Sequence, residues 1–228
     1  MTLARLLRPP ATMPLTFALL LVCLGAATDI IGANVAVALG LPVFLDTIGT
    51  FVVAVVLGPW WGALTGILNN SVGALTPLGV NNIPFALVSV AVALVWGYGM
   101  RRFGLGRNAA TFLFLNLVVA VVTALVASPI ALFVYGGATG HPSDLITAAL
   151  EVTGQGLGQA VLASNLVINV ADKLIAGYVG LAIVRALPAQ YTDGIRLPAV
   201  SRLGTLGMAA AGIAMGVALA VLYLALPR

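Results

Sequence analysis

Long uncharged apolar runs recur along this chain, and no other feature restricts its fold so much. Several exceed the roughly 18 residues at which an apolar helix can cross a hydrocarbon core. With 61% hydrophobic and only 7% charged residues, 228 residues carry more apolar surface than a water-soluble core of that size uses. Backbone polar groups in lipid must be satisfied within the chain, which leaves helices or a closed barrel. A barrel needs apolar and polar residues in alternation, and these runs are continuous. The expected class is an all-α integral membrane protein with the lipid bilayer as its solvent. The 26 glycines suit close helix packing in lipid. A pI near 9.7 invites a nucleic-acid reading, but the arginines are scattered at helix ends, so no nucleic-acid partner is expected. The single Cys23 lies inside an apolar run, where a small core residue fits.

The stretch 46–73 organises the rest. It reads as two short apolar segments joined at Gly58-Pro59, with Trp60 and Trp61 at the turn and Asp46, Asn69 and Asn70 at the outer ends. Proline cannot continue the first segment's hydrogen bonding but is favoured just inside a new helix. A lipid-facing helical hairpin is predicted, forming helices two and three. A first helix precedes it and ends near Asn34; its run 13–27 also has the form of a signal peptide with a small-residue site at Ala26-Ala27, but the apolar character resumes after Asp29. A polar turn, 76–84, leads to a fourth helix over 85–100, and a fifth follows over 109–135 with a kink expected at Pro129. After a Gly-rich loop, 136–144, a helical stretch through Glu151 to Gln159 enters the sixth helix, which stops at Pro188. The predicted divisions are a six-helix membrane domain (1–188), a cytoplasmic linker (189–203) and a further C-terminal transmembrane helix (204–228).

Charge placement orients these helices. With the N-terminus inside, cytoplasmic segments hold Arg5, Arg8, Arg101, Arg102, Arg107, Arg185, Arg196 and Arg202, eight of the ten basic residues. The opposite loops hold Asp46, Asp144 and Glu151. This is the positive-inside bias of a multi-pass protein of a prokaryotic plasma membrane. Trp60 and Trp61 then fall at the cytoplasmic interface and are expected as membrane anchors.

Polar groups in a bilayer usually face a bundle interior or a wet cavity. On the outer side the sequence gathers Asp29, Asn34, Asp46, Asn69, Asn70, Asn81, Glu151, Gln155, Asn165 and Asn169, as a pocket for a polar small molecule would. Loop solvation and helix capping are the competing uses, above all for Asn69, Asn70 and Asn81. Asn165 and Asn169 are four apart on one helical face, as are Glu151 and Gln155. Asp172 and Lys173, the only lysine, are either a neutralised pair that fixes packing or an ion or proton relay.

Some chemistries are excluded. A Walker A loop requires Gly-Lys-Ser/Thr, and the one lysine stands in Ala-Asp-Lys-Leu, so ATP is not bound that way. His-Glu-x-x-His and Gly-x-Ser-x-Gly are absent from the sequence. Gly154-Gln-Gly-Leu-Gly158 lacks a preceding strand, and so is not a dinucleotide loop. No enzyme, cofactor or metal is expected.

Asp46-Thr-Ile-Gly-Thr, Leu57-Gly-Pro-Trp-Trp-Gly-Ala-Leu-Thr-Gly66, Ile83-Pro-Phe-Ala-Leu-Val88 and Asp172-Lys173-Leu-Ile resemble the substrate-binding S components of energy-coupling factor (ECF) vitamin transporters, over about residues 10 to 188. The resemblance implies six helices, a micronutrient bound from outside, and docking onto a transmembrane coupling subunit and two ATPases. It also implies a pocket under the loops after helices one, three and five. Small residues of helix one, here Gly25, Ala26 and Ala27, would face the coupling subunit. The seventh apolar run, 204–226, departs from that pattern.

Two other functions compete. A membrane sensor would need an output partner, since no output domain follows Arg185 or Arg228 in this sequence. A secondary transporter would use Asp29 and Asp172 as ion sites, and inverted repeats would favour it. A neutral or weakly cationic ring suits the amides and carboxylates better than an anion. Trp96, Tyr98, Phe133 and Tyr135 are candidates to stack on it.

Overall fold

The computed structural model describes residues 13–192, 194–198, 201, 203, 204, 206, 207, 210, 211 and 214. Its secondary structure is helical, with no strand among the described residues. In chain order the helices are α1 (Leu15–Ala38), α2 (Ile48–Val56), α3 (Pro59–Gly73), a 3-10 segment (Val80–Phe85), α4 (Ala86–Arg101), α5 (Ala109–Tyr135), α6 (Asp144–Val152), α7 (Leu157–Ala186) and the short α8 (Ala189–Thr192). Among the described residues, four segments are long and apolar enough to cross a membrane: Leu15–Ala38, Val80–Arg101, Ala109–Tyr135 and Leu157–Ala186.

The hairpin is where prediction and structure part. At 1.5 Å per residue, α2 is about 14 Å long and α3 about 22 Å, both short of a hydrocarbon core of ~30 Å. Nor does α2 face lipid. Every residue from Gly49 to Val56 is buried, and α1, α3, α4 and α7 pack around it. A helix that is apolar all round belongs inside a bundle. Gly58, at φ 124°, supplies a turn only glycine makes easily, and Pro59 opens α3 as expected.

Around α2 the core is aromatic. The Phe51 ring meets Trp96 edge-on at 5.2 Å and Phe112 at 6.0 Å, and Phe112 meets Tyr178 at 5.2 Å. Trp96 donates its indole N–H to Asn116 Oδ1 at 3.0 Å, which satisfies a buried polar group inside that cluster. Trp96 is therefore a core residue. Trp61 is also buried, so its expected place as an interface anchor is corrected. Trp60 is partly exposed and donates to the Tyr98 hydroxyl at 3.0 Å.

Other expectations shift by an element or a face. The first helix continues past Asn34 to Ala38, and Cys23 is exposed on it, not in the core. Gly25 and Ala26 are buried within the chain's own bundle, Gly25 against Val53, Thr65 and Gly49; of the expected docking residues only Ala27 is exposed. Pro129 sits inside α5 without ending it. Gly136 closes α5 in the left-handed conformation, with the Gly137 N–H donated to Ala131 O at 2.8 Å. The stretch through Glu151 to Gln159 is broken at Gly154, φ 91°, which separates α6 from α7. Most of the seventh apolar run, Gly212 and Gly216 included, lies outside the described residues.

Candidate functional site

The site is built where α1 and α5 finish and α7 begins. Six positions of α7, Val161, Ser164, Asn165, Ile168, Asn169 and Lys173, fall on one face by helical spacing and line a cavity of about 160 Å³. One water needs only ~10–15 Å³ on the same measure, so this space takes a small ring compound. Phe44 and Asp46 come from the α1–α2 loop, and Asn81, Asn82 and Phe85 from the 3-10 segment. Thr123, Ala127 and Ala131 come from α5, and Thr139, His141, Ser143 and Asp144 from the Gly-rich loop.

A buried charge cluster fixes the inner wall. Asp172 Oδ1 accepts the main-chain N–H groups of Phe44 and Leu45 at 2.9 and 2.8 Å. Its Oδ2 takes the Lys173 ammonium at 2.6 Å, and Lys173 also donates to Thr47 Oγ1 at 3.0 Å. Asp46 Oδ1 stands 3.7 Å from the same ammonium. Leu45 holds a left-handed φ of 54°, uncommon outside glycine, and the grip of Asp172 on its N–H helps hold it there. Burial pushes the Asp46 carboxyl above its ordinary range, against the opposing pull of Lys173.

Opposite, the His141 ring packs against Phe44, tilted by 35° with ring centroids 4.7 Å apart. Burial lowers its pKa to about 4, although Asp172 pulls it upward, so the ring is neutral at pH 7. The Ser143 N–H donates to Nδ1 at 3.1 Å, which places the proton on Nε2.

Of the sequence-predicted residues, the fold brings Asp46, Asn81, Asn165 and Asn169 to the cavity, together with Lys173. Asp29 is placed elsewhere. It lies inside the bundle and caps α2, accepting from Gly49 N at 2.6 Å, Thr50 N at 2.9 Å and Thr50 Oγ1 at 2.7 Å. Asn34 donates to Ile30 O and Thr76 Oγ1. Asn70 donates to Gly66 O and Ser89 Oγ, tying α3 to α4. Asn69 holds Asp46 by its main-chain oxygen at 3.0 Å, so it supports the wall from behind. Glu151 is exposed and Gln155 half-buried, and neither lines the cavity. Asp172 and Lys173 form an ion pair at 2.6 Å, and Asp172 also holds the loop at Phe44 and Leu45.

The aromatic expectations also move. Phe133 is 88% exposed, and Tyr135 stacks on Phe85 and donates to Asn81 O at 2.8 Å. The rings at the cavity are Phe44, Phe85 and His141. Phe44 and the hydroxyl residues Thr123, Thr147 and Ser164 escaped the sequence reading. Ser164 carried a signal, since it falls on the same helical face as Asn165 and Ile168; Phe44 carried none. No protein-family model, curated protein or solved structure matches this chain.

Proposed function

We propose that this chain is the membrane-embedded substrate-binding subunit of an ECF-type importer for a vitamin or related micronutrient, with no ATPase of its own. One observation carries the reading. A cavity walled by amides, hydroxyls and aromatic rings sits at one end of an apolar helical bundle, under the loops that follow α1, α3 and α5. Arg101 and Arg185 stand in the last turns of α4 and α7, at the far end of those helices. With the basic end in the cytoplasm, the cavity opens outward in a plasma membrane. A transmembrane coupling subunit and two ATPases are the partners this reading requires.

Native mass spectrometry of the gently extracted protein tests it. A retained small molecule is expected, together with uptake that requires the ATPase partners. Substituting Asn165 or Asn169 by Leu should weaken retention. The buried cluster of Asp46, Asp172 and Lys173 at the cavity wall supports a second reading, an ion-coupled transporter. Uptake that persists without any ATPase and follows an ion gradient would favour it over the first.

A further inference from the structure

The hydrogen-bonding character of the cavity wall is set by where its protons go. Five hydroxyl residues line it, and each is hydrogen-bonded within the protein. Thr123 donates to Val119 O at 2.7 Å and Thr139 to Asp144 Oδ1 at 3.0 Å. Ser164 lies 3.0 Å from Val161 O and 2.7 Å from the Thr147 hydroxyl, a contact in which either hydroxyl can donate. Ser143 faces a His141 Nδ1 that already accepts its main-chain N–H, so at 2.9 Å the hydroxyl donates there as well.

The two amides on α7 each commit one N–H to the main chain. Asn165 Nδ2 donates to Val161 O at 2.9 Å and Asn169 Nδ2 to Asn165 O at 2.8 Å. Reversing either amide would set oxygen against oxygen, so these contacts fix its orientation. Asn169 is fully buried, and its Oδ1 has no hydrogen-bond partner. A buried acceptor left unpaired costs about 1–3 kcal/mol, and a partner arriving with a ligand removes that cost. Asp46 Oδ1 is likewise buried without a hydrogen bond.

Charge points the same way. The ammonium that reaches the cavity, Lys173, is bonded to Asp172 and close to Asp46, and Asp144 adds another carboxylate to the wall. The donors not committed to protein acceptors are the Nε2–H of His141 and the second amide N–H of Asn165 and of Asn169, whereas Asn81 and Asn82 show no side-chain hydrogen bond and can present either end. Phe44, Phe85 and His141 supply flat apolar faces.

We infer that the cavity selects a small planar ring compound that brings its own N–H or O–H donors, neutral or singly cationic, and rejects carboxylates and phosphates of the same shape. The inference rests on the cavity being a binding site and names the ligand's chemical class; it does not depend on which transport machinery the chain joins.

A matched pair of probes tests it on the full chain in lipid nanodiscs. Benzamidine is a planar cation with amidine N–H donors, and benzoate is an anion of similar shape with acceptors alone. Millimolar binding is the range for compounds so small. Benzamidine should bind at least about tenfold more tightly than benzoate by calorimetry, as fits one charge-assisted hydrogen bond gained against one repelled. Asn165→Leu should reduce that ratio several-fold. If the variant does not fold, the wild-type ratio decides alone. Equal binding of the two probes, a preference for benzoate, or no binding of either overturns the inference. Benzamidine selectivity without a requirement for ATPases in uptake would uphold it while removing the importer reading.

Discussion

Asp29 shows how a charged residue on an apolar helix can serve the fold before any ligand. Its carboxylate takes three donors at the start of α2, and no side chain of α2 caps that end. Asp29→Ala leaves those donors buried and unpaired, so it should cost about 2–4 kcal/mol. Thermal unfolding in detergent would read this as a large drop in Tm. Asp172→Asn should cost about 3–5 kcal/mol, because it removes the closest carboxylate from the buried Lys173 ammonium and leaves only Asp46 at 3.7 Å. Replacing Lys173 by Met in the same chain should restore much of that loss, and the double-mutant cycle measures the coupling directly. Asp172 also shows where residue-scale reading stops. Its pairing with Lys173 is adjacent in sequence, but its grip on Phe44 and Leu45 crosses 128 and 127 positions, which no spacing rule reports.

Among the elements, α5 and the Gly-Pro boundary of α3 were legible because local chemistry writes them. Asn108 caps α5 by accepting the Thr111 N–H at 2.9 Å, and Gly136 ends it. The burial of α2 was not legible. Its sequence, IGTFVVAVV, is apolar on all sides, and such a segment reads alike in lipid and in a protein interior. Only its length separates the two, because nine residues cannot cross a bilayer. Close packing makes a sharp test of this placement. A Cβ added at Gly49 would run into the Gly25 main chain, which cannot move aside, whereas one at Gly158 meets only Leu132 at 4.0 Å. Gly49→Ala should therefore destabilise by about 2–4 kcal/mol. Gly158→Ala should be neutral or raise stability by up to about 1 kcal/mol through helix propensity. Parallel Tm measurements decide it, and equal effects would contradict the α1–α2 contact.

For the molecule as a whole, the apolar exterior and the polar end cavity divide the work. Leu19, Leu20, Leu24 and Ile31 stand exposed on α1, and Leu113, Phe114, Val121 and Leu125 on α5, a surface that suits lipid and not water. The loops over the cavity give the molecule a pH dependence of known sign. His141 is lowered to about 4 in the native state by burial, against an ordinary value near 6.5. Its neutral form is compatible with the closed loops at any pH above 6.5. As pH falls from there toward 4, the unfolded chain gains a proton that the native chain resists, so stability falls across that window. Asp46, raised above its ordinary value, contributes with the opposite sign. The difference between wild type and His141→Gln isolates the histidine, and the variant should lose less Tm between pH 6.5 and 4. The helical class and the presence of apolar helices long enough to cross a membrane were readable from apolar length. Which amides would face the cavity was not, because Asn70 and Asn165 look alike until helix crossings are known.

The fastening of the α1–α2 loop has an evolutionary corollary. Asp172 holds that loop by main-chain N–H groups, which nearly every amino acid possesses, while the Phe44 side chain projects to the cavity wall. The attachment of the loop and the lining of the cavity are thus encoded separately. Under the proposed binding role, position 44 can be rewritten with its anchor intact, proline alone being barred for want of an N–H, which makes it the natural first site for reshaping the cavity wall.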